Sequence, residues 1–78
     1  MSVLLVEDDA SIALVITAAL EAEGFEVACC DSVAERDRLL SERSYDALVT
    51  DVMLTDGDGI ESLPAVRALH PDMPVIVL

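Results

Sequence analysis

A chain of 78 residues makes one small domain at most, and at that size it buries only about 60% of its extended-chain surface, so its stability is expected to be marginal. A hydrophobic share of 54% excludes a disordered chain, and no apolar run approaches the ~20 residues of a membrane span. Sixteen acidic residues against four arginines, with no lysine and a net charge of −12, argue against direct nucleic-acid binding, since phosphate contacts need Lys and Arg; the balance suits a cation or a basic protein partner.

The N-terminus runs straight into the first apolar segment with no basic stretch or small-residue cleavage site, so nothing suggests export and a cytoplasmic protein is expected. Val3 to Val6 is a short continuous apolar run, the pattern of a strand covered on both faces, and it ends in Glu7-Asp8-Asp9. Asp9 is placed to cap a helix in which Ile12, Val15, Ile16, Ala19 and Leu20 share one face. Gly24 ends that helix. Phe25, Val27 and Cys29 then alternate with Glu26, Ala28 and Cys30, which predicts an edge strand with one wetter face. On that phase Cys29 is a small core residue and Cys30 is incidental. Neighbours in a strand point to opposite faces, the pair lacks a metal-binding spacing, and the absence of a disulfide framework agrees with a reducing compartment.

Ser32 and Glu35 form an S-x-x-E capping pattern, which predicts a second helix from about Val33 to Glu42. Val33, Leu39 and Leu40 face inward, and Arg36, Asp37 and Arg38 lie on a solvated face. Ala47 to Asp51 is a second apolar run ending in a carboxylate, followed by the Gly/Asp-rich loop Thr55-Asp56-Gly57-Asp58-Gly59. Asp58 and Glu61 offer another capping pair, and Ile60, Leu63 and Val66 suggest a third helix ending near Leu69. Proline costs ~3 kcal/mol or more in a helix interior, so either the regular helix begins near Ser62 or it bends at Pro64. His70-Pro71-Asp72 is a loop, with no role assigned to His70, and Pro74 opens the last strand, Val75 to Leu78.

The order β-α-β-α-β-α-β implies a parallel sheet with helices on both faces and right-handed crossovers. The last strand is wholly apolar and wants two covered faces and two neighbours, yet the sequence stops at Leu78. Residues 1–78 are therefore expected to be the front part of a larger domain.

Ligand sites in open α/β sheets lie beyond the carboxyl ends of the strands. Asp8 and Asp51 end adjacent strands in the simplest arrangement, and Glu7 joins them if the chain turns there. Carboxylates within ~4–6 Å raise one another's pKa, so such a cluster is tolerable at neutral pH mainly with a cation. Mg2+ fits best, held by carboxylates and water, with the backbone carbonyl of Met53 as a further oxygen. A carboxylate beside the ion can attack phosphorus and form an aspartyl phosphate, a chemistry that rests on positioning and charge stabilisation.

Val3-Leu4-Leu5-Val6-Glu7-Asp8-Asp9, the spacing to Asp51, and Asp51-Val52-Met53-Leu54-Thr55-Asp56-Gly57-Asp58-Gly59 resemble the receiver domain of two-component response regulators over the whole chain. The ending His70 to Val77 is similar to receivers of the NtrC-like nitrogen-regulation type. The resemblance implies a flavodoxin-like (CheY-like) doubly wound parallel sheet, truncated after its fourth strand, in the order 2-1-3-4. It implies that Asp51 is the phospho-acceptor, Asp8 a direct Mg2+ ligand, Glu7 an acid acting through a metal-bound water, and Met53 the carbonyl donor. The implied partners are a sensor histidine kinase and an output domain or partner protein, with a homodimer open. Thr55 stands where the family usually has proline. The switch Ser/Thr, the late lysine, the fifth strand and the last two helices of the family have no counterpart in these residues, so weak phosphorylation of the 78-residue form is expected.

Two other readings compete. A haloacid-dehalogenase-like phosphatase also uses a strand-end Asp with Mg2+, but it needs a general acid where this chain has Met53. A receiver-like interaction module would go unphosphorylated and assemble through its surface or its open last strand.

Overall fold

The computed structural model describes every residue except Thr55 and Gly59, with Met53 described through its backbone alone. The loop position of Gly59 and the substitution at Thr55 lie outside the described residues. In chain order the elements are β1 (Ser2–Val6), α1 (Ala10–Ala22), β2 (Glu26–Cys30), α2 (Val33–Glu42), β3 (Ala47–Thr50), a small hairpin of β4 (Met53–Leu54) and β5 (Gly57–Asp58), α3 (Leu63–Leu69) and β6 (Val75–Val77). The main sheet runs β2-β1-β3-β6 with every pairing parallel. Counting only its own strands, that is the predicted order 2-1-3-4, and the fold is the flavodoxin-like one. The hairpin β4-β5 is antiparallel and occupies the region read as loop.

Alternation along the central strands sends side chains to two cores. Leu4, Val6 and Leu48 pack with Leu40 of α2 and with Leu63 and Val66 of α3. Val3, Leu5 and Val49 pack on the other face with Ala13, Ile16 and Leu20 of α1. Helices therefore cover both faces, which is why the β1 run is apolar throughout.

Several expectations change at this level. In α1 the packed face is Ala13, Ile16 and Leu20, while Ile12, Val15 and Ala19 are exposed. The segment ASIALVITAALEA is apolar nearly all round, so two faces compete and periodicity alone does not choose between them. In β2 the cysteines exchange roles. Cys30 is buried with Ala28 against the α2 side, and Cys29 is exposed. Burial pushes the Cys30 thiol up to about 11. Arg36 is only 1% exposed rather than solvated. It lies three residues after Val33 and four before Leu40, on the inward stripe of α2. Finally, β6 pairs with β3 alone among the described residues, and Ile76 and Val77 are exposed instead of covered.

The helix ends follow their sequence signals closely. Asp9 accepts from the N–H groups of Ser11 (2.9 Å) and Ile12 (3.2 Å). Gly24 at φ +92° donates to Glu21 O, and Phe25 donates to Leu20 O, which closes α1 with the paired bonds of a Schellman turn. Ser32 Oγ accepts from Glu35 N (3.1 Å), while the Glu35 carboxylate is taken up by Arg38, so the capping box is half made. Pro64 lies in the first turn of α3, where a missing N–H costs little, and the helix starts next to Ser62 without a bend. Asp58 Oδ1 caps the preceding turn by accepting from Ile60 N (2.7 Å) and Glu61 N (3.2 Å). Ile60 itself precedes α3 and is exposed.

Candidate functional site

β1 and β3 are parallel neighbours with Val6 opposite Thr50, so the residues that follow them leave the sheet at the same edge. Asp51 N donates to Val6 O (2.9 Å) and Glu7 N donates to Cys30 O (3.0 Å), which holds both acids one step beyond the strands. The chain bends at Asp8, the turn required to bring Asp8 to the side of Glu7. Glu7, Asp8 and Asp51 each offer one carboxylate oxygen, and these oxygens lie within 4.8 Å of one another. The predicted convergence is therefore present. Glu7 is buried, Asp51 half-buried and Asp8 exposed.

Local bonds orient the cluster. Glu7 Oε1 accepts from Asp9 N (3.0 Å), and Asp51 Oδ1 accepts from Val52 N (2.8 Å). The buried Thr50 hydroxyl donates to the Asp51 carbonyl (2.9 Å). Burial pushes the Glu7 carboxyl above its ordinary value, and the Asp51 charge and hydrogen bonds to Asp8 and Asp51 push the same way, against the Asp9 N–H. The donor set is all carboxylate oxygen. Partial desolvation and the Asp31 and Glu7 charges raise the nearby Cys29 thiol. Such a set fits a hard divalent cation, and the three acids could hold one. Met53 enters β4 two residues after Asp51, so its backbone is close in sequence to the cluster.

The raised Glu7 carboxyl has a testable consequence. Between the ordinary value of 4.5 and its higher folded-state value, the folded protein keeps a proton that the unfolded chain releases. Stability from this group is complete below that window and is lost as pH rises through it. Thermal unfolding in a chelator is expected to show stability falling as pH rises above the ordinary carboxylate value, and Mg2+ is expected to raise the midpoint more on the high-pH side of that fall than on the low-pH side. An equal Mg2+ effect at both would contradict the assignment.

Two residues beside the site escaped the sequence reading. Asp56, from the turn between β4 and β5, reaches the first turn of α2, where its oxygens accept from Val33 N (2.7 Å) and Ala34 N (3.0 Å). Arg36 donates from Nε and Nη2 to Asp37 Oδ1 (3.1 and 2.8 Å), and its charge also acts on Asp56. The i, i+3, i+7 spacing of Val33, Arg36 and Leu40 was the available signal for Arg36; no local pattern announces the Asp56 contact.

The response regulator receiver domain family matches residues 3–78. Among characterised proteins, the chain is 37% identical over 78 residues to the swarming motility regulation protein RssB of Serratia marcescens, covering all of this chain and 36% of that protein. It is 34% identical over 77 residues to the DNA-binding transcriptional regulator NtrC of Bradyrhizobium sp. (strain RP501 Parasponia), covering 99% of this chain and 16% of that protein. The chain thus spans little more than a third of one relative and less than a fifth of the other. Among solved structures, the MaeR response regulator bound to beryllium trifluoride superposes with a TM-score of 0.91 at 30% identity, over 100% of this chain and 66% of that one. The beryllofluoride-activated NtrC4 receiver domain dimer gives 0.92 at 33% identity, over 97% of this chain and 63% of that one. No helix among the described residues is long and apolar enough to cross a membrane.

Proposed function

This chain belongs to the response regulator receiver domain family, and from that premise we propose that Asp51 accepts a phosphoryl group from the phosphohistidine of a sensor kinase to control an output domain or partner protein. The carrying observation is the meeting of the Glu7, Asp8 and Asp51 carboxylates within 4.8 Å at the carboxyl edge of the sheet. One Asp51 oxygen attacks phosphorus. The new P–O bond forms as the P–N bond breaks, and the imidazole leaves with the electron pair and takes a proton from water. Asp8 and Asp51 would hold Mg2+, with Glu7 acting through a water and the Met53 carbonyl offering a further oxygen. When bound, the ion offsets the acids' charge and that of the phosphoryl oxygens. The Val52 N–H orients Asp51, and the Asp9 N–H orients Glu7. The chain is a signalling domain in this reading, not an enzyme with turnover of its own.

Residues 1–78 form the N-terminal part of one receiver domain in this reading, supported by their coverage of 66% and 63% of the solved receivers. The regulators among its relatives support a role in transcriptional control. Two free cysteines, one of them exposed, support a cytoplasmic setting. The reading is tested by incubating the protein with acetyl phosphate and Mg2+ and measuring intact mass. A gain of one phosphoryl group, labile to hydroxylamine and lost with Mg2+ removal, is the expected result. No uptake, together with sedimentation as a dimer, would favour a second reading, an unphosphorylated module assembling through the exposed β6 edge with its Ile76 and Val77 side chains.

A further inference from the structure

The segment after Asp51 is tied down at two ends by different elements. At its start, the Asp51 amide is bonded into the sheet through Val6 O (2.9 Å). At its far end, Asp56 spends both carboxylate oxygens on α2, accepting from Val33 N at 2.7 Å and Ala34 N at 3.0 Å. The first-turn N–H groups of a helix have no intrahelical partner. In α2, Val33 and Ala34 are satisfied by Asp56 from more than twenty residues away, and Glu35 by the local Ser32 hydroxyl. Leu54, between the two ties, is buried in the core cluster that also holds Leu40 and is packed by Val33. The same stretch carries Met53, the proposed carbonyl donor.

We propose that Asp56 is a positioning residue for the Asp51 site, its carboxylate clamping the β3–α3 connection onto the start of α2 so that the backbone beside Asp51 is held ready for the cation. The inference rests on the receiver reading above and adds a residue to it. Charge favours the clamp, because a carboxylate is attracted to the positive end of a helix. The Ala34 and Val33 N–H groups, with the Arg36 charge, hold the Asp56 carboxyl below the usual carboxylate range, so the clamp is ionised at neutral pH. Groups outside the ligand sphere that fix ligand orientation matter to metal affinity by about 10–100-fold.

Two caps on one helix provide the control. Ser32 and Asp56 both satisfy the first turn of α2, but only Asp56 also belongs to the loop. Mn2+ binding followed by electron paramagnetic resonance, beryllofluoride binding followed by fluorine NMR, and thermal unfolding are measured for the parent, Asp56→Ala, Asp56→Asn and Ser32→Ala. The expected result is that Asp56→Ala weakens Mn2+ binding about tenfold and lowers beryllofluoride occupancy. Asp56→Asn keeps one acceptor oxygen and falls between the parent and Asp56→Ala. Ser32→Ala lowers the unfolding midpoint but leaves Mn2+ affinity unchanged. Parent-like Mn2+ affinity in Asp56→Ala would overturn the proposal, as would an equal loss in Ser32→Ala, which would trace the effect to helix stability alone. Failure of the underlying reading looks different: the parent itself would bind no Mn2+, or Asp51→Asn would leave its binding unchanged.

Discussion

Asp51→Asn is expected to abolish phosphoryl uptake completely while leaving the fold intact and, in the absence of a divalent cation, more stable at neutral pH. The amide retains an Oδ1 to accept from Val52 N, the bond that orients this side chain at 2.8 Å. It loses the carboxylate proposed as nucleophile and removes one of three acidic groups whose oxygens lie within 4.8 Å of one another. Glu7 then loses two of the influences that raise its carboxyl, the Asp51 charge and the hydrogen bond to Asp51. The decline in stability as pH rises above the ordinary carboxylate value should shrink accordingly. For a domain of this length each 1 kcal/mol moves the unfolding midpoint by roughly 4–8 °C, so the relief is readable by calorimetry. Intact mass after acetyl phosphate treatment reads the chemistry. A variant that still gains a phosphoryl group would place the acceptor elsewhere.

Leu48→Ala is expected to be among the most damaging single truncations outside the site. Leu48 is 0% exposed in β3, a strand paired on both sides, and it packs with Leu40, Leu63 and Val66 from the two helices on that face. Removing such a side chain costs about 2–5 kcal/mol, the lost transfer energy plus the cavity left behind. At ~0.05–0.15 kcal/mol per residue, a chain this short holds only about 4–12 kcal/mol in all. The variant should therefore show a large fall in urea midpoint or fail to fold near physiological temperature. Leu14→Ala on α1 is the matched control. Leu14 is 71% exposed, and the same truncation there should change stability by no more than about 0.5 kcal/mol. Similar losses in the two variants would mean that the packing of β3 is not what holds the sheet.

The strands and the acid cluster were legible because each depends on a short, local pattern. A run such as Leu4-Leu5-Val6, short and followed by acids, has the pattern of a strand buried on both faces, and a carboxylate just past its end leaves the sheet at that edge. The bounds of α2 were legible from Ser32 for the same reason. The phase of α1 was not, because apolar residues surround that helix and the choice of face is made by the sheet it lies on. The cysteines illustrate the same limit, since alternation says that Cys29 and Cys30 part company but not which one the α2 side will cover. Arg36 was read by its charge, although its spacing from Val33 and Leu40 put it on the inward stripe. Asp56 could not be read at all. Its partners, Val33 and Ala34, are adjacent to it only after β1 and β3 have paired and α2 has docked. The choice left open at Pro64 was decided by the turn that Asp58 caps, which lets the helix begin just ahead of the ring.

The parallel pairing of β1 with β3 carries one more consequence. Glu7 and Asp51 become neighbours only through that long-range contact, so an unfolded chain has no comparable pocket. Any cation captured by the cluster is therefore a folding ligand as well as a chemical aid, and at a hundredfold excess over its dissociation constant it adds about 2.7 kcal/mol to the folded side. Against so thin a margin, a captured cation would tie how often the domain opens to proteases to the free level of that cation, independent of any signal the domain receives.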